Sequence, residues 1–276
     1  MTGTKIEYRG CEFVIGKSKK FDKDFETVKA ILDKGSENIT AADRIKLLTI
    51  YHPAYHEGGK IEGITIFDSS ATNCEFCKKC RHAAKSNPAH ICGSCYDYEQ
   101  EHSFKGVNVL NRHTLNMLIM QSVEFTREEL SILDCTKIDR INSSGDTPNV
   151  TYAKNMLNIA FVNGHAKFAY WAKNIYAVQA AIKAVGKPEN MTLVQSSCIL
   201  NKTAKLAEGF DIVFTVYTNK DAVKAAIESG SGECNGKKCA ECGYKCYLNG
   251  WNKGQNVAEY LRTTNEKRAE IEKAVR

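Results

Sequence analysis

The chain has 276 residues, 43% of them hydrophobic and 25% charged, an ordinary globular composition long enough to bury a core without disulfide staples. The net charge of +6 is mild, whereas a dedicated nucleic-acid binder carries a strong basic stripe, so nucleic acid enters only as a weak partner class. No apolar run approaches a membrane span, and the opening MTGTKIEYRG holds no stretch suited to a signal peptide; a cytoplasmic setting without membrane is the expectation.

Residues 1–60 read as an N-terminal helical extension. CEFVI within Gly10–Gly16 has a strand pattern, Phe21–Lys34 and Ala41–Ile50 are amphipathic helices, and Thr40 is an N-cap candidate. After the turn signal at Gly58–Gly59, GITIFD (63–68) reads as a buried strand, followed by a cysteine-rich loop from Asn73 to about Tyr98 and a helix over Leu110–Val123. The chain then alternates. Strands are expected at KIDRIN (137–142), KFAYW (167–171), MTLVQS (191–196) and DIVFTVY (211–217). Helices are expected at 151–162, 175–185, 203–208 (short) and 221–229. Repeated βα units with parallel strands give a doubly wound sheet or a full or partial barrel, an α/β fold read here as a partial (βα) barrel with cysteine-rich metal-binding loops. The core spans 61–230, and 231–276 carries a second cysteine group and a terminal helix. Chemistry is expected at the carboxyl ends of the strands, where 74–95, 143–149, 172–174, 197–198 and 218–219 lie. The side of the sheet taken by the second cysteine group is left open. Alternation points Tyr170 or Tyr217 into a barrel interior.

Twelve cysteines are the outlying count. In a reducing compartment, Cys-x2-Cys pairs read as metal ligands or redox thiols. The first group is Cys74, Cys77, Cys80, Cys92 and Cys95; the second is Cys234, Cys239, Cys242 and Cys246. Thiolates suit both zinc and iron–sulfur clusters. Cys74, Cys77, Cys92 and Cys95 alone make a plausible four-thiolate zinc set, and His82 or His90 can substitute. The second group shares part of the plant-type ferredoxin spacing, and its uneven intervals suit a four-iron cluster slightly better than one zinc. Lys78, Lys79, Arg81, Lys237, Lys238 and Lys245 interleave with these cysteines, either offsetting cluster charge or forming a solvated face. Ser144, Gly145 and Asp146 follow a strand; a close backbone approach plus a carboxylate can grip an amino group, and an ordinary βα turn is the competing reading. Cys198 is a ligand or reactive-thiol candidate, Cys11 and Cys135 are small core residues, and His52, His56, His102, His113 and His165 lack ligand spacing.

Taken in order, CGSCYDYEQ, RINSSGDTPNVTY, KFAYWAKN and CNGKKCAECGYKC resemble the phage "gene product eighty-eight" family over roughly residues 61–250. That arrangement in turn looks like a radical S-adenosylmethionine core. The resemblance implies Cys80, Cys92 and Cys95 as ligands of an open four-iron cluster, and Ser144–Gly145–Asp146 as the grip on the cofactor's amino group. It implies Cys234, Cys239, Cys242 and Cys246 around an auxiliary cluster. The usual three-cysteine spacing is absent here, and Cys74 and Cys77 have no counterpart. The expected function is therefore an iron–sulfur protein with two [4Fe-4S] clusters and S-adenosylmethionine chemistry on an unknown substrate, served by an electron donor in the host cytoplasm if phage-encoded. The alternatives are a non-catalytic zinc or iron–sulfur protein binding nucleic acid or a protein, and simple electron transfer.

Overall fold

A computed structural model describes residues 4–103, 106–248, 250–261 and 263–275. The chain opens with an antiparallel hairpin, β1 (Thr4–Tyr8) and β2 (Cys11–Ile15), joined through Arg9 and Gly10 at positive φ. Helices α1 (Lys19–Leu32) and α2 (Ala41–Ile50) follow, and Thr40 caps α2 in a reciprocal box with Asp43. Then come β3 (Ala54–Tyr55), β4 (Thr65–Phe67), α3 (Glu75–Ala84), α4 (Tyr96–Glu101), α5 (Val107–Ser122) and α6 (Arg127–Leu130). The alternating part holds β5 (Ile138–Ile141), α7 (Val150–Val162), β6 (Lys167–Ala172), α8 (Ile175–Val185), β7 (Met191–Ser196), β8 (Ile212–Tyr217) and α9 (Lys220–Glu228). Strands β9 (Gly232–Cys234) and β10 (Asn256–Tyr260) and helix α10 (Asn265–Val275) close the chain.

The fold is mixed α/β. Eight strands form one sheet in the order β3-β4-β5-β6-β7-β8-β10-β9; only β3 is antiparallel to its neighbour. Its edges are β3 and β9, which do not pair, so the ladder is that of an open sheet. Strand alternation divides the side chains between two faces. Phe67, Ile141, Phe168, Tyr170, Met191 and Leu193 face α5 and α7 in the larger core, which also takes in Phe13, Phe25, Leu32 and Leu47 of the N-terminal segment. Ile66, Ala169, Trp171, Val194, Ile212 and Val257 face the other way, against Cys239 and Tyr247 from the loop between β9 and β10. Tyr170 and Tyr217 therefore lie on the opposite face from the one their alternation suggested, and Trp171 and Phe214 occupy it instead.

Three buried asparagines tie the N-terminal segment to the core. Asn73, Asn111 and Asn116 each pair with both the N–H and the carbonyl of one backbone residue, Val14, Gly16 and His52 respectively. A short helix expected at 203–208 is absent. Side chains of β7 and the residue after it take that backbone instead: Ala204 N–H donates to Ser197 Oγ at 3.1 Å, Ala207 N–H to Gln195 Oε1 at 2.7 Å, and Gln195 Nε2 to Lys205 O at 3.0 Å.

Asp139 on β5 is completely buried. Its Oδ1 accepts from Thr136 N–H (3.1 Å) and Oγ1 (2.9 Å), while Oδ2 has no partner among the described residues. Burial raises its pKa to about 6 from 3.8, against the opposing bonds from Thr136 and Thr65. A proton is thus held more tightly in the folded chain. The resulting stability is complete below pH 3.8 and is lost as pH rises through about 6; the amount is roughly 3 kcal/mol. In urea titrations on either side of pH 6, Asp139→Asn is expected to lack this loss, so that wild type minus variant becomes more negative as pH rises. A pH-independent difference would contradict the assignment.

Candidate metal centre

The first cysteine group is built on a helix rather than a loop. EFCKKCRHAA is rich in strong helix formers, and α3 places Cys77 and Cys80 three residues apart on one face. Cys74 is its fully buried N-cap, with its Sγ 3.8 Å from Asp146 O, and the neighbouring Asn73 anchors this start to Val14. Cys92 lies in a 3₁₀ turn over Ile91–Ser94, and Cys95 caps α4.

The thiols of Cys80 and Cys92 and a ring nitrogen of His90 all lie within 4.8 Å of one another. Burial, then Lys173, lowers the pKa of His90, which keeps the imidazole in the neutral form that ligates metals. Cys80 and Cys92 share a proton through a thiol–thiolate hydrogen bond. That bond holds Cys92 down to about 7 against burial, with Lys173 adding, and pushes Cys80 up. Cys77 is pushed up by a hydrogen bond with Cys74 and by burial, and Cys95 rises to about 11 by burial and the nearby Asp97. Cys198 joins from the segment after β7: an isolated bridge pairs His90 with Ile199, and Ile91 N–H donates to Cys198 O at 2.9 Å. Its thiol is an electrostatic neighbour of both Cys80 and Cys92.

The cation serving this group is Lys173, directly after β6. Burial opposes its charge, but Cys92, Asp146, Cys77 and Cys95 outweigh burial and raise its pKa. Of the interleaved cations, Lys78 instead bonds Glu75 and the carbonyl of Glu12, and Arg81 bonds the carbonyls of Ala71 and Thr72 and stacks on Tyr98.

Ser144, Gly145 and Asp146 lie beside the first group. Gly145 has φ +72°, and a Cβ there would overlap the hydroxyl and carbonyl oxygens of Ser69. Ser144 N–H donates to Asp68 Oδ1 at 2.8 Å. Asp146 accepts from the N–H groups of Thr147 (2.7 Å), Lys173 (3.0 Å) and Asn174 (3.2 Å), and its Oδ2 is 3.8 Å from Lys173 Nζ. Its carboxylate thus joins the loops after β5 and β6. Behind them lies a buried network the sequence did not reveal. His113 reaches Glu101 at 2.9 Å and Asp68 at 3.6 Å, and Glu101 also accepts from the N–H groups of Ala71 and Thr72 and from Ser70 Oγ. His113, which lacks ligand spacing in the sequence, is 3% exposed.

The second group lies on the same side as the first. Cys234 ends β9, which pairs in parallel with β10, and neither strand was expected. Its Sγ is 3.1 Å from Lys60 Nζ, which also bonds Glu259 at 2.7 Å. Cys242 Sγ lies 3.2 Å from Cys239 O, and Cys246 has all three other thiols as electrostatic neighbours, with burial pushing it up to about 12.

A cavity of about 620 Å³ lies between the groups. All four second-group cysteines line it, with Ser143, Gly145, Asp146, Lys173 and Ile91 on the first group's side. Asp97 also faces it; burial and then Asp68 raise its carboxyl to about 7, against Lys173 and Arg140. Arg140 stacks on Trp171 with its Cζ 4.0 Å from the ring centroid. Arg140 and Lys173 sit inside quoted motifs, at or just past strand ends, and that position was the signal available for both.

Parallel strands with one cysteine group lining a cavity and a second beside the loops that close it define a cysteine-rich α/β protein with candidate metal centres. The Gene product 88 family model matches residues 32–269, and the chain belongs to that family. No curated protein and no solved structure matches it. No helix among the described residues is long and apolar enough to cross a membrane.

Proposed function

We propose that this chain is an iron–sulfur enzyme whose two cysteine-held centres flank one substrate cavity. The observation that carries this reading is the shared cavity itself: cysteines of the second group form one wall and the loops beside the first group form the other. The second donor set fits such a centre. Among the described residues, no three ligand atoms of the second group fall within 4.8 Å of one another. Zinc–sulfur bonds of about 2.3 Å would hold tetrahedral thiolates about 3.8 Å apart, so the wider set suits a four-iron cluster. Iron–sulfur centres supply single electrons. Around them, Trp171, Phe214 and Tyr247 exclude water, Lys173 offsets thiolate charge, and Asp97, with a pKa near 7, holds or moves a proton in the cavity. An external electron donor follows from this reading.

The specific form favoured is S-adenosylmethionine cleavage at the first group, with Cys80, Cys92 and Cys95 as ligands and the 144–146 loop beside the cofactor. Strand order supports it, because β4 to β8 lie side by side in chain order, as a partial barrel requires. Asp146 is already occupied by three amides, so its part in this form is to shape the loop. A second reading has one observation in its favour: Cys80, His90 and Cys92 have the compact spacing of a single-ion site, which suits a structural zinc.

Anaerobic purification separates these readings. Two four-iron clusters predict a brown protein with about eight irons per chain, falling by about half in Cys246→Ser and, independently, in Cys92→Ser. A change in the electron-spin spectrum on adding S-adenosylmethionine supports the specific form, and an unchanged spectrum removes it. A colourless, zinc-only protein would overturn the enzyme reading.

A further inference from the structure

The inner cavity wall holds a cation, Arg140, that has no anionic partner among the described residues. Lys60 is paired with Glu259, and Lys173 lies against Asp146. Arg140, projecting from β5 between the two cysteine groups, makes neither a hydrogen bond nor an ion pair among the described residues, and its Nε is buried and unpartnered. Among the described residues its close contact is the face of Trp171; Tyr247, then Cys239, Asp68 and Asp97, favour its charge without forming an ion pair. Tyr247 stands beside it, with its ring 5.8 Å from that of Trp171. Tyr247 lines the same cavity; its hydroxyl is buried, and the Cys239 thiol is its polar neighbour.

A buried guanidinium nitrogen without a partner is costly unless something completes it. A guanidinium immobilised on an indole face presents its remaining N–H groups as a fork, a shape that matches a carboxylate or phosphate. The cavity volume lies within the range of small-molecule sites.

We propose that the cavity binds an organic oxyanion, carboxylate or phosphate, with Arg140 as its anchor and the Tyr247 hydroxyl as a second donor. This names the substrate class of the enzyme reading above and rests on that reading only for what happens to the bound molecule. The anion would lie on the Trp171 side of the second cysteine group, with the body of the ligand reaching toward Lys173 and Asp97.

The chain has two tryptophans, and both line the cavity, so their emission reports its occupancy. The full chain, purified anaerobically, is titrated at constant ionic strength with acetate, with inorganic phosphate and with acetamide, the neutral isostere of acetate. Fixed ionic strength removes the general response of the exposed Lys237 and Lys245 at the rim. At millimolar concentration, at least one oxyanion should change the emission saturably while acetamide does not, and whichever responds assigns carboxylate or phosphate. Arg140→Gln should weaken that binding roughly thirtyfold or more. Arg140→Lys, which retains charge without the fork, should fall between the two, and Tyr247→Phe should weaken binding by a smaller factor. Metal content is measured on every sample. Binding that is lost in Arg140→Gln while metal content stays at the wild-type level upholds the proposal, even in a protein without iron, where the enzyme reading fails alone. No saturable response to either oxyanion overturns it, as does unchanged binding in Arg140→Gln. Loss of metal from Arg140→Gln would also overturn it, because Arg140 would then be the counter-charge of the second cysteine group.

Discussion

Glu101→Ala is expected to cost about 3–5 kcal/mol, the range for stripping one partner from a buried charged network. Glu101 is 2% exposed, and its carboxylate accepts from Ala71 N–H, Thr72 N–H, Ser70 Oγ and the ring of His113. Burial alone would raise its pKa, but His113 and Thr72 outweigh it and lower the value, so the carboxylate form is the one built in. Alanine would leave four donors facing a void. Total stabilities of about 5–15 kcal/mol make this a large fraction. The effect should also be local in function. Residues 70–74 lead into α3, and Cys74 N–H donates to Ser70 O at 3.0 Å, so loosening this segment displaces the start of the cysteine helix. Urea denaturation should show a much lower midpoint, and metal analysis of the folded variant should show loss at the first cysteine group with the second retained. An unfolding free energy within about 1 kcal/mol of wild type would remove Glu101 from this role.

Gly145→Ala should be nearly as damaging, for a different reason. The residue sits at φ +72°, where an L side chain costs about 1–2 kcal/mol, and the new methyl would overlap Ser69. Overpacking of that kind adds about 1–3 kcal/mol, for a sum of about 2–5 kcal/mol. Ser69 cannot easily give way: its Oγ donates to Asp146 O at 2.6 Å and accepts from Asp146 N–H at 2.9 Å. Separating these loops would move Asp146 and, with it, the amides of Lys173 and Asn174. Gly10→Ala is the matched control. Its φ is +73°, but a Cβ there meets nothing within 4 Å, so only the conformational cost of about 1–2 kcal/mol applies. Equal losses in the two variants would show that the contact with Ser69 carries no weight.

Most of the alternating part was legible because its pattern is local. Helices α2 and α8 and strand β7 fall on their expected residues, and the Thr40 cap forms as expected. Strands β9 and β10 escaped notice. β9 has three residues, and β10 finds its partners, β8 and β9, only through long-range pairing. The cysteine "loop" was misread because Cys-x2-Cys is compatible both with a turn and with one face of a helix, and the composition of α3 decides for the helix. At the site, cysteine spacing identified the two groups, and Cys198 was a ligand or reactive-thiol candidate from its place just after a strand, with no spacing to join it to either group. Cys198 meets Cys80 and Cys92 through the pairing of residue 90 with residue 199, a contact between segments more than a hundred residues apart.

The Arg140–Trp171 stack and the Asp68–His113–Glu101 network are likewise unreadable from local pattern, since each joins residues from different elements. By itself, the sequence determined most strands and helices of the alternating part, and that two sets of thiols lie in cysteine-rich segments, because helix propensity, strand alternation and ligand spacing act over a few residues. Only the tertiary structure decided that the second set and the loops beside the first line one cavity, that His90 and Cys198 approach the first, and that Arg140 has no ion pair among the described residues. Those relations depend on strand order and on the face each side chain takes, and a one-residue change of phase would have put Tyr170 where Trp171 now stands.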